Sequence, residues 1–473
     1  MVPADPGGGL MRADLLTEPV DGLDEALAAV DAFDQCLLAG LLRPGPEQAA
    51  GLTRLAHAVA GSPLAARCAE AAEKAAAGTA GEDDLVVLAA ARTALLGSVH
   101  DALTARVDEA TGRVLGEGGG PAAPVEPGGA NLFAAARSWL CDLARAGWRG
   151  IDHELVAGAA QVVSAMLQDP ALRRPATLLD GFAAELAASC PGVTLERVPV
   201  RRWADLWARA MLLTVPGAAV LPVTGTATGR LLPLGVDVQE HPTAVQAQVH
   251  AVFEPADGTP PRLVRAAVSA PKPDTVVGAG LWQLLRPHMS LLAALGEGRS
   301  MDLTDMPVTA EGDLLWSDGQ ARTGEPADAF ATARVALSTA VHAPTAPLDR
   351  HPARIAVPVF LEGYTAEADD PALTFTLGGH PVAVDVDRVP AAGPLTPKAV
   401  AASGACIGLL RWDAGAYHLQ PLAVETTVRK KSVTVHAGQW AGGTTDKAGA
   451  KAEKAATDAV TVLRERAGRL LRS

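Results

Sequence analysis

The nine residues Val245–Phe253, with the sequence VQAQVHAVF, decide the fold because apolar and polar side chains alternate along most of their length. A period of two is typical of a β-strand with one buried face. Short β-rich runs bounded by glycine, proline or aspartate follow at 263–268, 355–361, 373–377 and 382–386. The sequence therefore predicts a mainly antiparallel β-rich domain over residues 216–428, either a sheet or a partly closed barrel. A helical pattern over residues 276–295 predicts a helix inserted into this domain.

The clearest hairpin of the region pairs residues 407–412 with residues 417–424. The intervening Asp413-Ala414-Gly415 predicts a three-residue connection, because glycine adopts the positive φ that such turns require.

Upstream of residue 216 the period changes to that of a helix. Alanine, leucine and valine recur every three or four residues, which predicts a helical bundle over residues 1–115 and a second helical block over 131–215. The Gly- and Pro-rich residues 116–130 between them predict a linker. Residues 429–473 predict a basic C-terminal tail helix. The predicted fold class is thus α+β with several domains: helices first, then the β-rich domain, then one more helix.

The tail differs from the rest of the chain in charge. Residues 429–473 carry ten basic and four acidic side chains, whereas residues 1–428 carry 30 basic and 49 acidic ones. The predicted contact residues of the tail are Arg464, Arg466, Arg469, Leu470 and Leu471. They predict an amphipathic helix that packs on a protein partner or on the acidic body. Nucleic-acid binding through the tail is the less favoured alternative, because the acidic body opposes it.

Length and composition exclude several classes of protein. The chain has 473 residues, 49% of them hydrophobic, and a formal net charge of -13, which excludes a disordered chain or a basic protein that coats nucleic acid. The five cysteines are odd in number and far apart, so they predict reduced thiols in a cytoplasmic protein. No apolar run is long enough to predict a membrane span or a secretion signal.

Common catalytic and phosphate-binding motifs are absent from the sequence. The sequence contains no G-x-x-x-x-G-K-[ST] phosphate loop, no H-E-x-x-H zinc pair and no G-x-S-x-G nucleophile turn. We therefore expect no cofactor, no metal ion and no catalytic residue. An enzymatic alternative rests on His241, His351 and His380, each of which precedes a proline at a predicted turn. It would be a hydrolase of unrecognised type, with its site on loops of the β-rich domain.

The tryptophans are candidate interaction residues. Trp203 and Trp207 stand four residues apart, so they share one face of a predicted helix. The alternatives for this pair are plain core packing, which is favoured, and a contact at the junction of the helical and β-rich regions. Trp412 lies in the β-rich domain and Trp440 in the tail, where exposure of either would mark an interface.

Two stretches carry a resemblance to a known family. They are residues 202–211, RWADLWARAM, and the hairpin formed by 408–413, GLLRWD, with 419–422, LQPL. Together with the order of helices and strands, they resemble uncharacterised actinobacterial proteins associated with a MoxR-like AAA+ ATPase, a von Willebrand factor A protein and a SWIM zinc-finger protein. The chain lacks the Walker motif, the D-x-S-x-S loop and the C-x-C pair of these three associates. The resemblance therefore implies a non-catalytic companion, with no active residue to carry over.

These observations favour a cytoplasmic scaffold or adaptor that acts through protein–protein contacts. The resemblance implies an AAA+ ATPase or a von Willebrand factor A protein as its partner. Whether the chain is also an enzyme stays open at this point, and the absence of motifs favours a non-catalytic role.

Overall fold

The computed structural model describes residues 11–116, 129–169, 172–219, 223–241, 244–273, 275–286, 289–369, 372–428 and 431–443, together with individual residues of 447–461. Most of the predicted linker 116–130 lies outside these residues. So do the tail residues Arg464, Arg466, Arg469, Leu470 and Leu471. The described residues between 447 and 461 are helical, in keeping with the predicted tail helix.

The first half of the chain is helical, and the predicted α+β class is confirmed. The helices are α1 (Ala13–Thr17), α2 (Leu23–Ala39), α3 (Pro46–Ala58), α4 (Ala65–Ala76), α5 (Glu82–Thr111), α6 (Ala130–Ala146), α7 (His153–Ala157), α8 (Ala160–Leu167), α9 (Arg173–Ala188) and α10 (Val200–Leu213). Helices on both sides of the predicted linker share one hydrophobic core, to which Leu37, Leu88, Trp148 and Trp203 all contribute.

Helix α5 connects this core to the β-rich half. Its first part contributes Leu85 and Leu88 to the helical core, and its last part contributes Val99 and Leu103 to a second core shared with the strands. By length and composition alone, the 30-residue helix α5 is apolar enough to cross a membrane. A helix that packs against neighbours on several sides is also apolar all round. However, 61% of its most apolar window is buried inside the protein, which fits the core helix of a soluble protein.

The first sheet closes on itself. Its strands are β1 (Val223–Glu240), β2 (Ala244–Pro255), β3 (Arg262–Pro271), β4 (Arg299–Thr309), β5 (Asp313–Leu314), β6 (Ala321–Pro326) and β7 (Val341–His342). The long strand β1 pairs with β2 and also with β4, while β5 joins β4 to β3. The pairings form a ring, as in the predicted partly closed barrel. Arg230 lies where β1 pairs on both sides, opposite Glu254 and Asp302.

The second sheet contains the predicted hairpin. Its strands are β8 (Val357–Glu362), β9 (Thr365–Asp369), β10 (Ala372–Leu377), β11 (His380–Val384), β12 (Ala405–Asp413), β13 (Ala416–Val428) and β14 (Lys431–His436). The connection has two residues instead of the predicted three, because Asp413 pairs with Ala416. Ala414 and Gly415 both have positive φ, 48° and 86°, which suits a tight turn between twisted strands. Strand β14 pairs with β13, so the sheet extends beyond the predicted boundary at residue 428.

Among the described residues, four further helices are inserted between the strands: α11 (Leu281–Leu284), α12 (Met289–Glu297), α13 (Ala329–Ala336) and α14 (Pro397–Ala401). The single helix predicted over 276–295 is wrong, since α11 and α12 are separate. Pro287 falls between them, and a proline interrupts a helix because it lacks the N–H that would bond to the preceding turn. Near the tail, Gln283 of α11 donates a hydrogen bond of 3.1 Å to the backbone oxygen of Glu453.

Candidate functional site

Two of the cavities that the described residues form where helices meet the sheets are large and polar. The first, the acidic groove, encloses about 840 Å³ between α1, α2, α5, α10 and the β12–β13 hairpin. The second, the junction cavity, encloses about 790 Å³ between α5, α9, α10 and the inner face of the first sheet. The segment Asp349–Arg354 separates them, with His351 and Pro352 lining the groove, Asp349 and Arg354 lining the cavity, and Ala353 lining both.

The acidic groove takes its name from its side chains. Its carboxylates are those of Glu18, Asp24, Asp31, Asp205 and Asp413, whereas one guanidinium, that of Arg201, is among its described lining residues. Arg201 pairs with Asp31, Arg106 pairs with Glu18 at 2.7 Å, and Arg92 pairs with Asp205. Among the described residues, no basic nitrogen lies within 4 Å of the exposed carboxylates of Asp24 and Asp413. The groove therefore presents an excess of negative charge.

Apolar and aromatic side chains form the rest of the groove. Leu16, Leu23 and Leu103 line it together with the half-buried Trp412 and the buried Tyr417. The Tyr417 hydroxyl donates a hydrogen bond of 2.7 Å to the backbone oxygen of Leu103, which fixes the hairpin against α5. An acidic rim beside an aromatic wall suits a basic segment that also carries apolar side chains.

A buried ion network holds one wall of the groove. Arg92 bonds both oxygens of Asp34, at 2.6 and 2.9 Å, and also contacts Asp205 at 2.7 Å. Burial raises the pKa of the Asp34 carboxyl, although the Arg92 guanidinium opposes this effect. Burial also acts to raise the pKa of Asp205, but His351 and Arg92 outweigh it, so that this pKa lies below its usual value.

His351 is the one of the three predicted histidines that lines the groove. Its Nδ1 accepts a hydrogen bond from the backbone N–H of Ala353 at 3.1 Å, so the neutral ring carries its proton on Nε2. That Nε2 lies 3.2 Å from Asp205 Oδ1. Both ring nitrogens are therefore engaged, and neither is available as a base. His241 follows β1 and His380 begins β11, and neither lines either cavity.

The junction cavity has a polar floor that strands β1 and β2 provide. Asp237 faces Gln248 across these strands, and Gln239 faces Gln246. The carboxylate of Asp237 accepts hydrogen bonds from Arg411 at 2.8 Å and from Gln420 at 2.8 Å. Polar residues on the inward face of a sheet are unusual unless they are paired or used, because burying them is costly.

His250 belongs to the same floor and is buried. Its Nε2 has no hydrogen-bond partner among the described residues. Burial, and then the nearby Arg265, lowers the pKa of this histidine below its usual value, so the ring is neutral at pH 7.

Acid is expected to destabilise the protein through His250. Its pKa is lower in the folded state than the value of about 6.5 for an exposed histidine, so the stability it contributes is complete above pH 6.5 and is lost as the pH falls. Between pH 7 and pH 5 the loss is about 2 kcal/mol. Urea titrations of the wild type at pH 7 and at pH 5 should show this fall in the free energy of unfolding. In His250→Gln the fall should be smaller by about 2 kcal/mol. An equal loss in both proteins would contradict the prediction.

The tryptophans occupy different environments. Trp203 and Trp207 are 1% and 0% exposed and lie in the helical core, which favours the packing alternative. Trp440 is also buried, against the β-rich core. Of the predicted contact residues that the structure describes, Trp412 is the one that lines a cavity. The other predicted contacts, those of the tail, lie outside the described residues and stay predictions.

The sequence did not single out the charged residues of the two cavities. Asp205 and Arg209 lie inside the stretch 202–211, and Arg411 and Asp413 lie inside 408–413. The most distinctive residues of both stretches are their tryptophans. The sequence offers no signal that separates these positions from the other charged residues nearby, such as Arg201 and Arg202 of α10.

Comparisons with known proteins give no match: neither a family model, nor a curated protein, nor a solved structure is similar to the chain. In the described part of the chain, no group of three or more His, Cys, Asp or Glu side chains is arranged to hold a metal ion.

Proposed function

We propose that the protein is a non-catalytic adaptor that binds a basic segment of a protein partner in the acidic groove. The observation that carries this proposal is the pair of exposed carboxylates of Asp24 and Asp413, which have no ion-pair partner among the described residues, beside Trp412. A partner's arginine side chains would meet Asp24 and Asp413 at the rim, and its apolar side chains would contact the leucines. Arginine is the favoured cation because its planar group both pairs with carboxylates and stacks on an aromatic ring.

Binding to a basic probe tests the groove directly. The labelled peptide AVTVLRERAGRLLRS, which is residues 459–473 of this chain, supplies four arginines. Fluorescence anisotropy should show binding that weakens with salt, because the contacts are between exposed charges. We expect the double variant Asp24→Lys/Asp413→Lys to bind it about tenfold more weakly or worse, since two attractions become repulsions.

The control variant is Glu367→Lys/Asp369→Lys. It changes the net charge by the same amount as Asp24→Lys/Asp413→Lys does. The two positions are exposed, belong to β9 and do not line the groove. Equal losses for both variants would show nonspecific attraction and overturn the proposal, as would absence of binding. If the probe binds only after residues 462–473 are deleted, the groove serves the chain's own tail, and the partner proposal fails.

We further propose, from the resemblance alone, that the partner belongs to a MoxR-like AAA+ system and meets this protein in the cytoplasm. Affinity purification from actinobacterial cells should recover an AAA+ or von Willebrand factor A protein with the wild type and much less of it with Asp24→Lys/Asp413→Lys. Recovery of neither protein, or equal recovery with both baits, would contradict this identity of the partner.

The contact between His351 and Asp205 favours the hydrolase as a second candidate function. It ranks lower because the Ala353 N–H occupies the nitrogen that would have to act as the base. Hydrolysis of a broad set of ester substrates that is lost in His351→Gln, with unchanged thermal stability, would promote it over the adaptor.

A further inference from the structure

The junction cavity contains a cluster of arginines that the adaptor proposal does not use. Arg174 comes from α9, Arg209 from α10, and Arg354 from the segment before β8, and all three line the cavity around Asp349. The sequence separates these residues widely, and the packing of the helices on the strands brings them together. We call them the arginine cluster.

The carboxylate of Asp349 lies within 4 Å of three guanidinium groups. Arg209 contacts Asp349 Oδ1 at 2.6 Å, and Arg354 contacts the same oxygen at 2.7 Å. Arg174 reaches no closer than 3.8 Å, to Oδ2. Arg209 is further held by a hydrogen bond of 3.0 Å to the backbone oxygen of Leu348. Arg174 is therefore the least engaged of the three cations.

The cluster carries two positive charges more than its carboxylate neutralises. Burial, together with repulsion from Arg209, lowers the pKa of both Arg174 and Arg354, whereas Asp349 opposes the shift. At Asp349, burial acts to raise the pKa, but the arginines outweigh it and the pKa falls below its usual value. Holding like charges together in a partly desolvated space costs folding free energy, and residues retained at such a cost are frequently those that bind a ligand.

The other residues that line the junction cavity indicate which class of ligand it suits. Arg265 and Arg411 are paired with Asp313 and Asp237. The carboxylate of Glu311 also lines the cavity and attracts Arg174, so the described lining as a whole carries an excess of one positive charge. On the floor, the glutamine amides of β1 and β2 offer donors and acceptors that suit hydroxyl groups. No phenylalanine, tyrosine or tryptophan is among the described lining residues of the cavity, which favours a hydroxylated ligand over one with a large aromatic ring.

We propose that the junction cavity binds a phosphate monoester of a small polyol, with a sugar phosphate as the chemical class. The phosphate has a charge between about -1.5 and -2 at neutral pH and three terminal oxygens, one for each guanidinium group of the arginine cluster, whereas a carboxylate has only two oxygens. The hydroxyl groups bond to the glutamines at the floor. A cavity of about 790 Å³ has room for such a ligand. This site is separate from the acidic groove, and its test is independent of the adaptor proposal.

Isothermal titration calorimetry on the full chain provides the test, with glucose 6-phosphate, inorganic phosphate and glucose as the probes. We expect glucose 6-phosphate to bind at one site, inorganic phosphate to bind more weakly at the same site, and glucose not to bind. Arg174→Gln should weaken the binding of glucose 6-phosphate by about tenfold or more, because one charge-assisted contact is lost. Arg174→Lys, which keeps the charge and loses the two-pronged contact, should bind with intermediate affinity.

Thermal unfolding distinguishes a binding role of Arg174 from a structural one. If Arg174 serves a ligand, Arg174→Gln relieves repulsion, and its melting temperature without ligand should equal or exceed that of the wild type. A clear fall in melting temperature would overturn the binding role. The matched control is Arg149→Gln, which removes the same charge from an exposed position outside the cavity. The proposal is also overturned if neither phosphate compound binds, if Arg174→Gln and Arg149→Gln bind equally well, or if inorganic phosphate binds as tightly as glucose 6-phosphate.

Discussion

Replacing Arg92 with methionine is expected to lower the free energy of unfolding by about 3–5 kcal/mol. The side chains of Arg92 and Asp34 are 1% and 2% exposed, and the substitution would leave the Asp34 carboxylate buried without its cation. Asp205 would lose a partner as well. Breaking one side of a buried ion pair is costly because the remaining charge cannot return to water. Urea unfolding followed by tryptophan fluorescence measures the change.

Arg201→Met is the matched control for this prediction. It removes a second Arg–Asp pair, with Asp31, but its side chains are 42% and 58% exposed. Water replaces an exposed partner at little cost, so the expected loss is at most about 1 kcal/mol. Similar losses for Arg92→Met and Arg201→Met would show that the buried network contributes no more than a surface pair.

Replacing Trp207 with alanine is expected to destabilise the protein by about 3–5 kcal/mol, because it leaves a large cavity in the helical core. The indole is fully buried, and its ring centroid lies 6.3 Å from that of Phe33. Its Nε1 donates a hydrogen bond of 2.9 Å to the backbone oxygen of Leu140, and this bond would be lost as well. The loss is measurable by chemical denaturation.

Trp412→Ala provides the contrast. Trp412 is half-buried at the groove, so its removal should cost much less stability and should weaken binding of the basic probe. The reverse pattern, in which Trp207→Ala stays stable but loses a partner and Trp412→Ala unfolds, would restore the contact role that the sequence suggested for the helical tryptophans.

The elements of the fold could be predicted from local patterns. The alternation around Val245 and the helical period before Pro216 each depend on residues a few positions apart, and both led to the observed elements. The break between α11 and α12 was missed because the apolar period continues across Pro287, although that proline was visible. The strand at Lys431–His436 was missed because its charge and length suggested a tail, whereas pairing with β13 decided its structure.

The candidate sites were beyond sequence reasoning for a different reason. Arg174, Arg209 and Arg354 belong to two helices and a loop, and their meeting depends on how those elements pack together. The same holds for Asp24 and Asp413, which approach one groove from opposite ends of the chain. The tryptophan spacing at 203 and 207 correctly indicated a shared helix face, but a spacing does not say whether that face meets solvent or the core.

The segment Asp349–Arg354 lies between the two cavities and lines both, so a shift of its backbone would change the shape of both. A ligand that shifts Arg354 within the arginine cluster would also displace His351, which contacts Asp205 in the wall of the groove. Thermodynamic linkage then makes the influence mutual: whatever factor a small anion applies to the affinity for a basic peptide, the peptide applies to the affinity for the anion. A metabolite could in this way set the strength of a protein contact without touching the partner, and two titrations of the same protein, each with the other ligand present or absent, would give one coupling free energy.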